Sequence, residues 1–91
     1  MATASEIQNH LEQWIDGKIS LHDFEDWFVP ATWNIHLAGD QEAEKLTDDI
    51  EMALSEYSDK VLTLDELREE LTRIGFQYAE RMRSHVGGRK S

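Results

Sequence analysis

Trp14-Ile15-Asp16-Gly17-Lys18-Ile19-Ser20-Leu21-His22-Asp23-Phe24 decides how this chain folds, because the same pattern returns as Tyr57-Ser58-Asp59-Lys60-Val61-Leu62-Thr63-Leu64-Asp65-Glu66-Leu67. Each copy reads as the end of one helix, a tight turn and the capped start of another. Upstream of the first turn, Ile7, Leu11, Trp14 and Ile15 fall at i, i+4, i+7 and i+8. That spacing predicts a helix over about residues 4–16. Gly17 suits the left-handed conformation that closes a helix. Ser20 then precedes a second stripe of Leu21, Phe24 and Phe28, with Trp27 beside it. Ser20 and Asp23 approximate a capping box, with Asp in place of Glu. In the second copy Thr63 and Glu66 complete that box. The helix they open carries Leu64, Leu67, Leu71, Ile74, Tyr78 and Met82 at steps of three and four.

A shift of 43 residues also places Ile7 on Ile50, Leu11 on Leu54 and Phe28 on Leu71. The echo reads either as a duplication or as two similar hairpins that share capping and stripe positions. Both readings give an all-α, four-helix domain in which two helical hairpins bury their stripes against each other. Between the hairpins, Pro30 is expected to stop or kink the second helix near Val29. Residues 30–39 then form an ordered connector. Trp33, Ile35 and Leu37 alternate with Asn34 and His36 in a strand-like period of two, but no second strand is available to satisfy that backbone. We expect instead a connector that pins Trp33 to the core and includes a helical turn. Asp40 caps the third helix, whose stripe is Ala43, Leu46, Ile50, Ala53, Leu54 and Tyr57. The expected organisation is one helical domain over residues 1–86 and a flexible C-terminal tail over 87–91.

Ninety-one residues fit one domain, and a chain of this size buries about 60% of its unfolded surface. The absence of cysteine suits a reducing compartment. No apolar run approaches the roughly 18–20 residues of a membrane span. Met1-Ala-Thr-Ala-Ser-Glu has neither the basic start nor the apolar stretch of a secretory signal, so a cytoplasmic protein is expected. Nine basic and 19 acidic side chains give a net charge of −10, unevenly divided. Residues 1–76 hold 18 acidic and 5 basic side chains, a charge of −13, whereas residues 77–91 carry +3. Direct nucleic-acid binding needs clustered Lys and Arg and is not expected. A field this negative favours encounter with a basic protein partner.

No pattern of residues points to catalysis. Aligning Gly17 with the glycine of a calcium loop puts Glu12, Trp14, Asp16 and Asp23 at its side-chain ligand positions. Tryptophan does not ligate, and Lys60 replaces the glycine in the second copy. The four histidines lie in separate segments, and only His22 with Asp26 has helical i, i+4 spacing. Zinc needs further ligands that no motif supplies. The pairs Glu25-Asp26, Asp48-Asp49, Asp65-Glu66 and Glu69-Glu70 point about 100° apart on a helix, so they do not converge as an acid–base pair. No phosphate loop or nucleophile elbow is present. The expectation is a non-enzymatic protein-binding module without cofactor or metal, whose partner surface is formed by Glu42, Asp48, Asp49, Glu51, Glu69 and Glu70. Trp27 either covers the edge of the core or faces outward as the apolar anchor of that surface. The alternative is a structural, self-assembling protein that buries Trp27, Val29 and Phe76 in a homodimer. Arg81 and Arg83 complement the dipole at the end of the last helix.

The stretch from Trp14 to Glu25 resembles small bacterial immunity proteins of the colicin D type. In these an amphipathic helix is followed by Lys-Ile-Thr or Lys-Ile-Ser, two variable residues, an acid and Phe. Here the corresponding residues are Lys18-Ile19-Ser20, then Leu21-His22, then Asp23-Phe24. The match covers about a dozen residues. It implies a helical, acidic, non-enzymatic inhibitor that covers the basic active site of a nuclease toxin. The matched residues serve packing and capping, so the resemblance assigns no inhibitory residue.

Overall fold

The computed structural model describes residues 2–87, with side chains described as far as Arg81. Four α-helices follow in order: α1 (Ala4–Ile15), α2 (Leu21–Ala31), α3 (Gln41–Ser58) and α4 (Leu64–Gly87). A 3-10 turn, Ile35–Ala38, lies between α2 and α3, and no strand occurs among the described residues. The chain therefore adopts the all-α architecture of two helical hairpins. Helix α1 packs on α2, α3 and α4, while α3 packs on α4 and on the 3-10 turn. The expected tail falls mostly outside the described residues, but the helical backbone continues through Gly87.

The two inter-helix turns share one hydrogen-bond pattern. In the first, the N–H groups of Asp16, Gly17 and Lys18 donate to the carbonyls of Glu12, Trp14 and Gln13 at 2.8, 2.9 and 2.8 Å. In the second, Asp59, Lys60 and Val61 donate to Ser55, Tyr57 and Glu56 at 2.9, 3.0 and 2.8 Å. Gly17 and Lys60 occupy matching left-handed conformations, with φ of 79° and 66°. The capping that follows also repeats. The Ser20 hydroxyl accepts the Asp23 N–H at 3.0 Å, and the Thr63 hydroxyl accepts the Glu66 N–H at 3.2 Å. Glu66 returns the bond to the Thr63 N–H at 2.9 Å, which completes the capping box. A further box opens α1, where Thr3 and Glu6 exchange bonds of 3.0 and 3.1 Å.

Burial follows the 43-residue shift as well. Ile7 and Ile50, Phe24 and Leu67, and Phe28 and Leu71 are matched pairs, and all six side chains lie in the core. The correspondence runs past the expected boundary of the hairpins, since Ile35 matches Tyr78 and both are buried. Leu11, Trp14, Ala43, Leu46, Ala53 and Ile74 complete the centre, where α1 is surrounded by the other three helices. Truncating a buried Leu or Ile to Ala in such a core costs about 2–5 kcal/mol. Leu64 departs from its expected place on the stripe. It is the first residue of α4, where it is exposed rather than packed.

Two expectations for the connector are corrected. Pro30 does not end α2 at Val29, because the helix continues through Ala31. Pro30 forfeits its own N–H bond and crowds the Asp26 carbonyl four residues back, yet the helical backbone runs two residues beyond Val29. The turn is closed after it by Thr32, whose N–H and hydroxyl both bond to the Phe28 carbonyl, at 3.0 and 2.8 Å. Trp33 is not pinned to the core; it is 74% exposed, and Ile35 is buried in its stead. The alternation of Trp33, Ile35 and Leu37 does not form a strand: Ile35 opens a 3-10 turn and is buried, while Trp33 and Leu37 are exposed.

Candidate functional site

Five of the six acidic residues named from the sequence divide among three places, and Glu69 stands apart from them. Asp49 and Glu70 face each other across the α3–α4 groove, an open depression of 250 Å³ that Lys45, Met52 and Arg73 also line. Their charges are offset locally, because Lys45 lies 3.7 Å from Asp49 and Arg73 is ion-paired with Glu70. Glu42, in the first turn of α3, accepts two bonds from the Arg81 guanidinium, at 3.0 and 3.2 Å. That pair joins the start of α3 to α4. Burial, followed by the negative charges of Glu42 and Asp40, raises the pKa of Tyr78 above its ordinary value. Glu69 stands exposed on α4.

Asp48 and Glu51 form the third group. They are exposed on α3, on the side that meets the 3-10 turn, and act together with Glu44. His36, on the turn, places Nδ1 2.9 Å from the Glu44 carboxylate. This hydrogen bond, reinforced by the negative charges of Glu44, Asp48 and Glu51, raises the His36 pKa above 6.5. Adjacent residues diverge by about 100° on a helix. The Asp48-Asp49 pair is therefore split, with Asp48 toward His36 and Asp49 toward α4.

Trp27 belongs to neither acidic group. It is half-buried against the core and stacked on His10, with ring centroids 3.6 Å apart and planes 5° from parallel. The most exposed aromatic side chain on the chain's described surface is instead Trp33, on the connector. Leu37, 81% exposed, and Val29, 54% exposed, lie four residues to either side of it. The end of α2 and the connector thus present three large apolar groups to solvent, and the turn that carries Leu37 packs on α3 through the His36–Glu44 bond. Trp33 was hidden in the sequence by its alternation with Asn34 and His36, which resembles a half-buried strand. The sequence signal for this place is the close spacing of Val29, Trp33 and Leu37 around a proline. Phe76 is also exposed, above a 320 Å³ groove between α1 and α4 that is edged by Glu12 and Asp16.

Arg68 has a structural role that the sequence pattern did not single out. Its guanidinium lies 4.7 Å from the centre of the Trp14 ring and donates to the carbonyls of Trp14 and Ile15, at 3.3 and 3.0 Å. Helix α1 has no basic residue in its last turn, so this cation from α4 caps its negative end. Among the described residues, no three His, Asp or Glu side chains form a group able to hold a metal ion. No helix among them is long and apolar enough to cross a membrane. No protein-family model matches the chain, and neither a curated protein nor a solved structure shows significant similarity to it.

Proposed function

We propose that this protein is a non-enzymatic binding module whose acidic surface recognises a basic protein partner. The observation that carries the reading is the uncompensated face of α3. There Glu44 accepts a 2.9 Å hydrogen bond from His36, and this bond, with the negative charges of Glu44, Asp48 and Glu51, raises the His36 pKa. By contrast, Asp49, Glu70 and Glu42 are offset by Lys45, Arg73 and Arg81 respectively. A face of this kind accelerates encounter with a basic surface and rejects acidic ones. The likeness of Trp14–Glu25 to colicin D-type immunity proteins supports the same reading and suggests a basic toxin as partner. In that case the module would act in the bacterial cytoplasm by covering its partner's basic site.

The test is affinity capture from source-cell lysate with the wild-type protein and with the Asp48→Lys/Glu51→Lys variant as baits. The expected result is a basic protein that is held by the wild type, released by raised salt and lost with the variant. Retention by both baits, or retention indifferent to salt, would overturn the acidic-surface reading.

A further inference from the structure

We propose that the connector between α2 and α3 forms the apolar half of the binding surface. Its ligand is an amphipathic cationic segment of a protein, with apolar side chains that cover Trp33 and Leu37 and Lys or Arg residues that reach Glu44, Asp48 and Glu51. This rests on the basic-partner reading and gives it a place and a ligand chemistry.

Three features of this corner argue for that occupant. First, among the described residues Trp33 and Leu37 are the two most exposed of the large apolar side chains, at 74% and 81%, and Val29 precedes them at 54%. Tryptophan is the side chain most enriched among residues that dominate binding energy, and it performs that role when partner contacts exclude water around it. Second, the corner is firmly mounted. Ile35 anchors its centre in the core, the doubly bonded Thr32 closes the end of α2, and Asp40 caps α3 through a 3.1 Å bond to the Ala43 N–H. A mounted anchor loses little conformational entropy on binding. Third, His36, next to Leu37 on the 3-10 turn, bonds to Glu44 at 2.9 Å, which holds the turn against the acidic side of α3.

Charge separates this occupant from the alternatives. A second copy would bring three like carboxylates against the same three, and an anionic lipid surface would be repelled by them. A segment with both apolar and cationic side chains satisfies both halves of the corner. Trp27 has no part in it, being already stacked on His10.

The experiment titrates the full chain with a synthetic amphipathic helix bearing leucines on one face and lysines on the other. A control peptide of equal charge carries serine in place of leucine. Amide chemical shifts locate the site, and Trp33→Ala, Trp27→Ala and Asp48→Lys/Glu51→Lys variants identify its parts. The leucine–lysine peptide is expected to shift residues 29–38 and 44–51. Its affinity should fall about thirtyfold with Trp33→Ala and change little with Trp27→Ala. The serine control should bind weakly and lose binding as salt rises. If both peptides bind equally, Trp33→Ala has no effect and the charge reversal abolishes binding, the corner proposal fails while the acidic-surface reading survives. If neither peptide binds at low salt, that reading fails too. Self-association of the wild type that Trp33→Ala abolishes would assign the corner to a second copy and overturn the proposal.

Discussion

Replacing Lys60 with glycine is expected to stabilise the protein, although it removes a side chain and a positive charge. Lys60 holds a left-handed backbone with φ of 66°, the only such non-glycine residue among those described. For an L-residue that conformation costs roughly 1–2 kcal/mol, because Cβ crowds the following carbonyl. Glycine avoids the crowding but has more freedom to lose from the unfolded chain, worth about 0.4–1 kcal/mol. The difference favours Lys60→Gly by about 0.5–1 kcal/mol. Gly17 provides the reverse experiment at the matching position. Its φ is 79°, and a Cβ placed there would meet no atom within 4 Å, so Gly17→Ala is not opposed by a clash. Its loss of about 0.5–1 kcal/mol would be conformational alone. Lys60→Ala removes the charge but keeps Cβ, which separates the backbone effect from electrostatics. Thermal unfolding followed by far-UV circular dichroism is the assay. A domain of this size moves by about 4–8 °C per kcal/mol, so shifts of about 2–8 °C in opposite directions are expected. Lys60→Gly that stabilises no more than Lys60→Ala, or a neutral Gly17→Ala, would refute the equivalence of the two turns.

Three further outcomes follow from particular contacts. Arg68→Ala removes the cap on α1 and the cation from the Trp14 ring, and is expected to cost about 2 kcal/mol in urea unfolding with a change in tryptophan emission. Thr47 is buried with a hydroxyl that has no hydrogen-bond partner. Thr47→Val keeps its shape and is expected to raise stability by about 1 kcal/mol, read from the same unfolding curve. The imidazole of His36 is expected to titrate above 6.5 by NMR and to return toward that value in Glu44→Gln. A raised folded-state pKa means that the contact's contribution to stability is complete below pH 6.5 and fades as pH rises through the folded value.

The hairpins were legible because local chemistry and long-range packing agree there. Ser20, Thr63 and Asp40 cap the helices they precede, and the stripes of Ile7, Leu11, Ile50, Leu67 and Leu71 are the core. The box formed by Thr3 and Glu6 was equally readable, since it has the same spacing as Thr63 and Glu66. The connector was harder because its apolar residues alternate with period two, although the backbone there forms a 3-10 turn with about three residues per turn. Only burial distinguishes Ile35 from Trp33 and Leu37. Pro30 misled because its ring disturbs the turn before it, and one further residue, Ala31, still keeps helical backbone. The acidic residues were visible as a set, but their division was not. The Lys45–Asp49 pair is a local i, i+4 contact on α3, but which flank of α3 meets α4 and which meets the 3-10 turn is a tertiary fact. Arg68 escaped notice because its partners are 53 and 54 residues away in the chain.

The central claim is that a basic protein binds the acidic face of α3 through charge. It is tested most directly by the affinity of the captured partner, measured against salt for the wild type and for Asp48→Lys/Glu51→Lys. The account predicts wild-type affinity that falls steadily as salt rises, and binding by the variant that is weak throughout. Equal affinities for the two proteins across the salt range would contradict it.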